Sequence, residues 1–285
     1  MNSLLRFLRE QFEKGLAYKT ISSRTGSICA LLQPMVPAAM RLSHTGAVTQ
    51  YLRGVFKKRP PPRKRPCTWD VKEVLDKLRT WGTAQECRDY TRLSDKTCML
   101  VALASLKRPA DLALLFIDKA GMKKTTDMIT FYPGFGAKNA RPKHPYTPPL
   151  SLKRSAEPEL CPVAHVEEYI KRTSTPDREP RSTKLFVTKR RGEGKAATAG
   201  AMTRWLADVL RLASIDASGG TTRKAGATYA REKGATLATI LEAGDWAKAS
   251  TVYRHYIREL PEEVIDRIRA QTTHSVQSLN LGPLA

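Results

Sequence analysis

One segment of the sequence resembles a phosphate-binding loop but lacks the residues that such a loop needs. It reads Gly-Glu-Gly-Lys-Ala at positions 192–196. A Walker motif places a glycine five residues before its Gly-Lys pair, where this chain has Lys189. It also requires a serine or threonine after the lysine to hold magnesium, and here that residue is Ala196. We therefore exclude a nucleotide-binding P-loop.

The other residue types that bind metals or activate nucleophiles also show no diagnostic spacing. The histidines are not spaced as metal ligands; they are His44, His144, His165, His255 and His274. The sequence contains no Gly-x-Ser-x-Gly motif and no acidic cluster of the kind that two-metal nucleases use. Its five cysteines form no Cys-x-x-Cys pair, which argues against zinc and disulfides and favours a reducing compartment. We expect no metal and no cofactor.

The charge of the chain predicts a polyanionic partner. Its 285 residues include 49 Lys and Arg against 27 Asp and Glu, which gives a net charge of +22 and a pI of about 10.0. Half of this excess lies in residues 1–66, which contain 13 basic and 2 acidic side chains. Because 41% of the residues are hydrophobic, the chain can also bury a sizeable core. A folded protein with so basic a surface is typical of nucleic-acid binding.

The densest basic segment, residues 57–66, has the composition of a linker. Its three consecutive prolines exclude a helix and favour polyproline II. Ten residues in that conformation reach roughly 31 Å, farther than the ~12 Å width of a DNA major groove. We predict that the segment joins two domains and lies along phosphates; a nuclear-import signal or a solvated spacer is an equal alternative. The predicted phosphate-binding residues, two of them on a preceding helix, are Lys19, Arg24, Lys57, Lys58, Arg59, Arg63, Lys64 and Arg65.

Metal-free cleavage of a phosphodiester requires a nucleophile, cations on the non-bridging oxygens and an acid for the leaving oxygen. Segments with such residues follow one another in the chain. They are Leu-Ala-Ser-Leu-Lys-Arg-Pro-Ala-Asp-Leu at 103–112, Gly-Ala-Lys-Asn at 136–139, Gly-Thr-Thr-Arg at 220–223, Ala-Gly-Asp-Trp at 243–246 and Tyr-Arg-His-Tyr-Ile-Arg at 253–258. Each segment alone is unspecific, whereas their joint order and spacing are specific.

In that order, the segments resemble the signature of the tyrosine recombinases, in particular those of DIRS- and Ngaro-type transposable elements and their recombinase-like genes. The resemblance covers about residues 5–260 and includes Thr-Trp-Asp-Val at 68–71, Leu-Phe-Val at 185–187 and Arg-Trp-Leu at 204–206. It implies an enzyme of DNA recombination and integration that works as a tetramer on double-stranded DNA. The N-terminal domain is shorter than is usual in the family, as expected of a truncated domain or a fragment of a longer element protein.

The resemblance assigns one role to each of five residues. Arg108 and Arg223 would bind the two non-bridging oxygens with planar, permanently charged guanidinium groups. Lys138 would protonate the departing 5′ oxygen, and Trp246 would donate its indole N–H to a phosphate oxygen. Tyr256 would attack the phosphorus and form a 3′-phosphotyrosyl link. Since a free tyrosine hydroxyl has a pKa of about 10, it depends on neighbouring cations to react at neutral pH.

Two of these assignments have competitors. The other lysines within reach of the same predicted hairpin as Lys138 are Lys143, Lys123 and Lys124. Tyr253 lies three residues before Tyr256, so that both can share one face of a helix. Tyr256 is preferred because the Ile-Arg that follows it resembles the family.

Gly220 departs from the pattern, because the resemblance places there a histidine that serves as acid–base group and phosphate ligand. Loss of a general acid–base group typically costs about 10²–10⁴-fold in rate. The alternative function is therefore a catalytically impaired DNA-binding protein derived from a recombinase. A basic RNA-binding or ribosome-associated protein is a third class, but it leaves the order of arginine, lysine, arginine, tryptophan and tyrosine unexplained.

The predicted helices and strands indicate a fold that is mainly α-helical with a small β-sheet (α+β). The predicted domains are a helical core-DNA-binding domain at 1–56, the linker at 57–66, a tyrosine-recombinase catalytic domain at 67–272 and a flexible tail at 273–285. Hydrophobic periodicity predicts helices at 4–12, from Thr20 to about 33 with Leu31 inward, at 48–55, and from caps at Thr68 and Ser94. Strands follow at 114–117, 128–132 and 149–152, and helices at 164–171, 202–213, 223–233, 237–242, 250–259 and 261–270.

The last predicted helix bears on assembly, and the apolar and charged residues of the chain bear on location. The last predicted helix carries Val264, Ile265 and Ile268 on one face, which fits docking onto a neighbouring protomer as well as packing within the same chain. No apolar run approaches the roughly 18 residues of a membrane span, and charged residues such as Arg6 and Glu10 interrupt the N-terminus. We therefore expect no membrane association and no secretion, with a nuclear location in a eukaryote and a cytoplasmic one otherwise.

Overall fold

A computed structural model describes residues 2–37, 39–61, 69–134, 148–174, 181–189, 194–247 and 249–255. The chain divides into two units, Met1–Arg65 and Pro66–Ala285. Within the described ranges, no helix is both long enough and apolar enough to cross a membrane. The predicted helix at 261–270, the tail and the residue Thr68 lie outside these ranges.

The first unit packs helices around an apolar core of its own. They are α1 (Asn2–Glu13), α2 (Tyr18–Leu32) and α3 (Gly46–Lys58). On α2 the buried residues Ile21, Thr25 and Cys29 recur every four positions and form the inward face. Leu31 lies two positions beyond Cys29, so it points to the opposite side and is 76% exposed. The prediction that Leu31 faces inward was wrong.

The third helix is longer than its predicted span of 48–55. It continues to Lys58, so Lys57 and Lys58 are helical and do not belong to an extended linker. Lysines in the last turn of a helix interact favourably with its dipole. The helix ends at that point because Arg59 precedes Pro60, and a residue before proline avoids the helical conformation; Arg59 has φ −139° and ψ 70°.

The second unit builds its core around one buried helix, α5 (Tyr90–Ser105), on which α7 and α8 pack. Its other helices are α4 (Val71–Arg79), α6 (Pro109–Leu112), α7 (Pro162–Thr173), α8 (Ala199–Leu212), α9 (Thr222–Glu232), α10 (Leu237–Gly244) and α11 (Ala249–His255). This arrangement, mostly helical with a small sheet, is the fold class that the sequence predicts.

Two helix caps differ from the prediction. Asp70, and not Thr68, is the N-cap of α4, and its carboxylate accepts the backbone N–H two residues later at 2.8 Å. Asp89 caps α5 in the same way, also at 2.8 Å, so this helix begins four residues before Ser94. Ser94 instead lies inside the helix, where its hydroxyl donates to the carbonyl of Tyr90 at 2.8 Å.

The sheet is antiparallel in the order β1 (Met122–Lys124), β2 (Met128–Phe131) and β3 (Leu150–Lys153). The predicted strand at 114–117 is not part of it, although Leu115 is buried. Phe116 and Lys184 form an isolated bridge there instead. An apolar run predicts burial, but the run alone does not fix where its backbone hydrogen bonds go.

Candidate phosphate-binding site

Arg108 lies at the N-terminus of the short helix α6. Helix α5 ends where Leu106 turns into the left-handed conformation, with φ 53°, which is unusual for a leucine. The backbone N–H of Arg108 donates to Oδ2 of Asp111 at 3.1 Å, and Nη1 of its guanidinium lies 3.6 Å from the same oxygen. One carboxylate therefore orients both the main chain and the side chain of Arg108.

Arg223 reaches the same carboxylate from the start of helix α9. Its Nη1 lies 3.8 Å from Oδ2 of Asp111, and its Nη2 donates to the carbonyl of Gly244 at the end of α10. The guanidinium carbon also lies 4.0 Å from the ring centroid of Trp246, in cation–π geometry. The Arg223 side chain is only 3% exposed, so these contacts fix its position.

Trp246 packs over a glycine that makes room for its ring. A Cβ atom on Gly244 would lie 1.9 Å from Cζ3 of the indole, closer than two carbon atoms can approach. The chain turns between them at Asp245, which has φ 53°. The indole is buried in a small apolar cluster with Leu106, Ala227, Ile240 and Val252. The residue pair Gly244 and Trp246 thus forms one wall of the site.

The structure therefore brings together three of the residues that the sequence assigns to the site. Arg108 and Arg223 converge on Asp111, and Trp246 covers Arg223. The Arg108 side chain is 27% exposed, so the site opens to solvent on that side. Over the described part of the chain, no group of three or more His, Cys, Asp or Glu is placed to hold a metal ion.

The predicted nucleophile and proton donor lie outside the described residues. This holds for Tyr256, for Lys138 and for its competitor Lys143. Of the other two competitors, Lys124 lies on strand β1 and its ammonium forms an ion pair with Glu167 at 2.7 Å. Lys123 is exposed on the same strand, and the backbone of Tyr253 belongs to α11.

Apart from Arg59, the predicted phosphate contacts of the first unit fall into two groups, those that are exposed and those outside the described residues. Lys19, Lys57 and Lys58 are exposed on their helices. Arg24 is also exposed, and its guanidinium donates to the buried amide of Gln11. The remaining predicted contacts, Arg63, Lys64 and Arg65, lie outside the described residues.

Arg59 has a role within the first unit that the sequence does not suggest. Its guanidinium donates to the carbonyl of Leu16 at 2.7 Å and to the carbonyl of Phe12 at 3.2 Å. The guanidinium carbon also lies 4.3 Å from the centroid of the Phe12 ring. Arg59 thereby satisfies carbonyls at the end of α1 and ties α3 to it.

Two adjacent glycines precede Arg223 and have different requirements. A Cβ on Gly219 would lie 2.1 Å from the backbone carbonyl oxygen of Thr203, so no larger residue fits without a backbone shift. Gly220 is exposed, and the nearest atom to its ideal Cβ is Oγ of Ser218 at 3.9 Å. The position of the absent histidine is therefore open to a side chain.

Lys107 is a buried charged residue next to Arg108 that no motif in the sequence indicates. It lies between α5 and Arg108 and is only 5% exposed. Burial lowers the pKa of its ammonium, an effect that Asp245 and Asp111 oppose. Its sequence neighbours gave no signal, because a lysine beside an arginine usually indicates a solvated surface.

Comparison with known proteins relates the chain to solved structures of recombinases. No protein-family model and no curated protein matches it. The Tn1549 transposon integrase in complex with circular intermediate DNA matches 92% of this chain and 82% of its own, with a TM-score of 0.58 and 10% identity. XerH recombinase bound to palindromic difH substrate, a post-cleavage complex, matches 96% and 72%, with a TM-score of 0.56 and 14% identity.

A lambda integrase dimer bound to a COC′ core site also matches, over 91% of this chain and 66% of its own, with a TM-score of 0.51 and 10% identity. The chain spans 62% of the XerH chain in a pre-cleavage complex with difH. At such identities the likeness establishes the fold, which is that of the tyrosine recombinases.

The contact between Gly244 and Trp246 can be tested with two matched alanine substitutions. We expect Gly244→Ala to lower the free energy of unfolding by about 1–3 kcal/mol, because the added methyl group overlaps the indole. Gly220→Ala should change it by less than about 0.5 kcal/mol, because its site is open. All four tryptophans lie in the second unit, so urea unfolding followed by tryptophan fluorescence reports on it. Equal stabilities of the two variants would contradict the packing described here.

Proposed function

We propose that this protein binds double-stranded DNA and is a tyrosine-type recombinase, which cuts and rejoins a strand through a 3′-phosphotyrosyl intermediate. The observation that carries the proposal is the convergence of Arg108 and Arg223 on the Asp111 carboxylate. Solved proteins with this fold include recombinases and integrases bound to DNA, which supports the choice of partner.

The two arginines suit a phosphodiester because of how they are held. Their nitrogens lie 3.6 and 3.8 Å from the Asp111 oxygen, beyond the usual hydrogen-bond distance, so the carboxylate attracts them without a short bidentate contact. Two guanidinium groups on one carboxylate leave a positive charge in excess. A phosphodiester monoanion would neutralise that charge and accept planar, charge-assisted hydrogen bonds.

The preorganisation of Arg223 favours catalysis over simple binding. The Gly244 carbonyl and the Trp246 ring fix its guanidinium before any substrate arrives. Charged donors that are fixed in advance stabilise a transition state without reorganising as negative charge develops on the phosphoryl oxygens. In this scheme Trp246 also donates its indole N–H to a phosphate oxygen.

The chemical step replaces one phosphoester bond of the DNA with a phosphoester bond to the tyrosine. Oη of Tyr256 attacks phosphorus and gives its proton to solvent water, while the bond to the 5′ oxygen breaks and that oxygen takes a proton from Lys138. The reverse attack by a 5′ hydroxyl restores the DNA strand, so joining needs no ATP. The reaction also needs no metal or other cofactor.

The same proposal covers the DNA contacts of the first unit, the assembly of the protein and its location. The first unit and the following linker would hold duplex DNA through Lys19, Arg24, Lys57, Lys58, Arg59, Arg63, Lys64 and Arg65. The protein would assemble as a tetramer on its DNA, act in the mobility of a DIRS- or Ngaro-like element, and work in the nucleus of a eukaryotic host.

A second candidate function is favoured by Gly220. The position has no side chain and its surroundings are open, so the described residues supply no imidazole there. On this reading the protein retains the arginine cluster and binds DNA, but cleaves it slowly or not at all.

A nicked suicide duplex, taken from DNA selected for binding out of random sequences, distinguishes the two candidates. The enzyme should form a covalent protein–DNA adduct that Tyr256→Phe abolishes, because the nucleophilic oxygen is lost. The matched variant Tyr253→Phe should keep the adduct. Denaturing gel electrophoresis detects the product. Intact DNA binding with no adduct from the wild-type protein would rule out cleavage and support the second candidate.

The role of Gly220 can be tested by adding the absent group. We expect Gly220→His to raise the rate of adduct formation by up to about 10²–10⁴-fold, the usual contribution of a general acid–base group. The surroundings of the Cβ position are open, so the first atom of the new side chain meets no close contact. Gly220→Ala serves as the control that adds bulk but no titratable group. An unchanged rate in the histidine variant would show that its absence does not limit the reaction.

A further inference from the structure

Lys107 is held next to Arg108 by a turn with little freedom. Its backbone N–H donates to Oγ of Ser105 at 3.3 Å, and that hydroxyl donates to the carbonyl of Val101 at 2.6 Å. The preceding residue, Leu106, is buried in the same apolar cluster as Trp246. The backbone on both sides of Lys107 is therefore anchored to the walls of the site.

The charged groups that influence Lys107 include three of the candidate phosphate-binding site. Asp245, at the end of α10, and Asp111, on α6, favour the protonated ammonium. Arg223, on α9, and Arg108, at the start of α6, disfavour it. Burial is the largest influence, and the net effect is to lower the pKa of Lys107 below that of an ordinary lysine.

A second buried lysine shows what a purely structural arrangement looks like. Lys96 is fully buried, and its ammonium donates to the backbone carbonyl of Leu78 at 2.6 Å, with Gly82 as a further acceptor. These neutral acceptors lie at and just after the end of α4, where carbonyls lack helical partners. The charge of Lys107 is instead influenced by two carboxylates and two guanidinium groups.

The protonation of Lys107 decides the charge of the site. With a charged ammonium, the three cations Lys107, Arg108 and Arg223 exceed the carboxylates of Asp111 and Asp245 by one positive charge. With a neutral amine, these groups have no net charge, because the Asp245 carboxylate offsets the excess charge of the two arginines on Asp111. A phosphodiester carries one negative charge, so it is matched by the first state and not by the second. Because Lys107 and Arg223 are buried, this difference in charge acts at a lower effective dielectric than in water.

We propose that Lys107 is a third cation of the phosphate-binding site, and that a phosphodiester binds to the form of the protein in which Lys107 is protonated. The inference rests on the proposed function in taking a phosphodiester as the ligand. It does not require that the protein cleave DNA. Lys107 acts here through its charge, as an electrostatic and positioning residue beside the two arginines.

The proposal predicts the direction in which the affinity for a phosphodiester changes with pH. If the ligand prefers the protonated form, its binding raises the pKa of Lys107, and affinity falls as pH rises through the pKa of the free protein. Because that pKa is lowered, the fall begins below the pH at which an exposed lysine would titrate. Above it, one linked proton limits the fall to about tenfold per pH unit.

The test uses the full chain and diethyl phosphate, a phosphodiester whose own charge is constant near and above neutral pH. Its dissociation constant is measured between about pH 7 and 10, where lysine charge changes, from the NMR shifts of the tryptophan indoles. Wild type should bind more weakly as pH rises. Lys107→Arg should remove the fall, since arginine stays charged. Lys107→Met should bind about tenfold more weakly than wild type at neutral pH, without a pH-dependent fall.

The control is Lys72→Met, which removes an exposed lysine of α4 that pairs with Asp76, and it should behave as wild type. The same pH-dependent fall in wild type, Lys107→Arg and Lys107→Met would overturn the proposal, as would a wild-type protein that does not bind diethyl phosphate. If Lys107→Met does not fold, the comparison of wild type with Lys107→Arg still decides. A protein that shows this linkage but forms no tyrosyl adduct would retain the role of Lys107 while the cleavage function fails.

Discussion

One carboxylate, that of Asp111, holds together two parts of the chain that are distant in sequence. It orients Arg108 from within the same short helix, and it attracts Arg223 from the start of α9. Removing one partner from a buried charge cluster typically costs about 3–5 kcal/mol, because the other charge stays buried and uncompensated. Asp111 is therefore both a structural contact and the element that sets the spacing of the two arginines. The turn at Leu106 and the packing of Trp246 on Gly244 then fix the remaining sides of the site.

In the proposed function, this cluster of charges takes up the negative charge of a phosphodiester. The Asp111 carboxylate lies 3.6 Å from a guanidinium nitrogen of Arg108 and 3.8 Å from one of Arg223, so it keeps the two cations close together. Arg223 is buried and Arg108 is partly exposed, so the site is open to solvent on the side of Arg108. Lys107 adds a titratable charge to two that are permanent, which makes the net charge of the site depend on pH.

The sequence predicted the parts of this arrangement that depend on residue type and order. The fold class, and the meeting of Arg108, Arg223 and Trp246, agree with what the order of motifs suggested. The sequence did not predict the burial of Lys107, because burial of a lysine depends on tertiary packing, which no local pattern indicates. The strand expected at 114–117 failed for a related reason, since an apolar run indicates burial but not the partner of its backbone. The hydrogen bonds of Arg59 to the carbonyls of Phe12 and Leu16 likewise depend on a contact between residues far apart in the chain.

The structure of a complex tests directly whether Arg108 and Arg223 bind a single phosphodiester. The experiment is a crystal structure of Tyr256→Phe bound to a duplex selected for binding. We predict one backbone phosphate whose two non-bridging oxygens lie within about 3 Å of guanidinium nitrogens of Arg108 and Arg223. A complex in which the duplex is bound but both guanidinium groups remain on Asp111, with no phosphate in hydrogen-bonding reach, would contradict it.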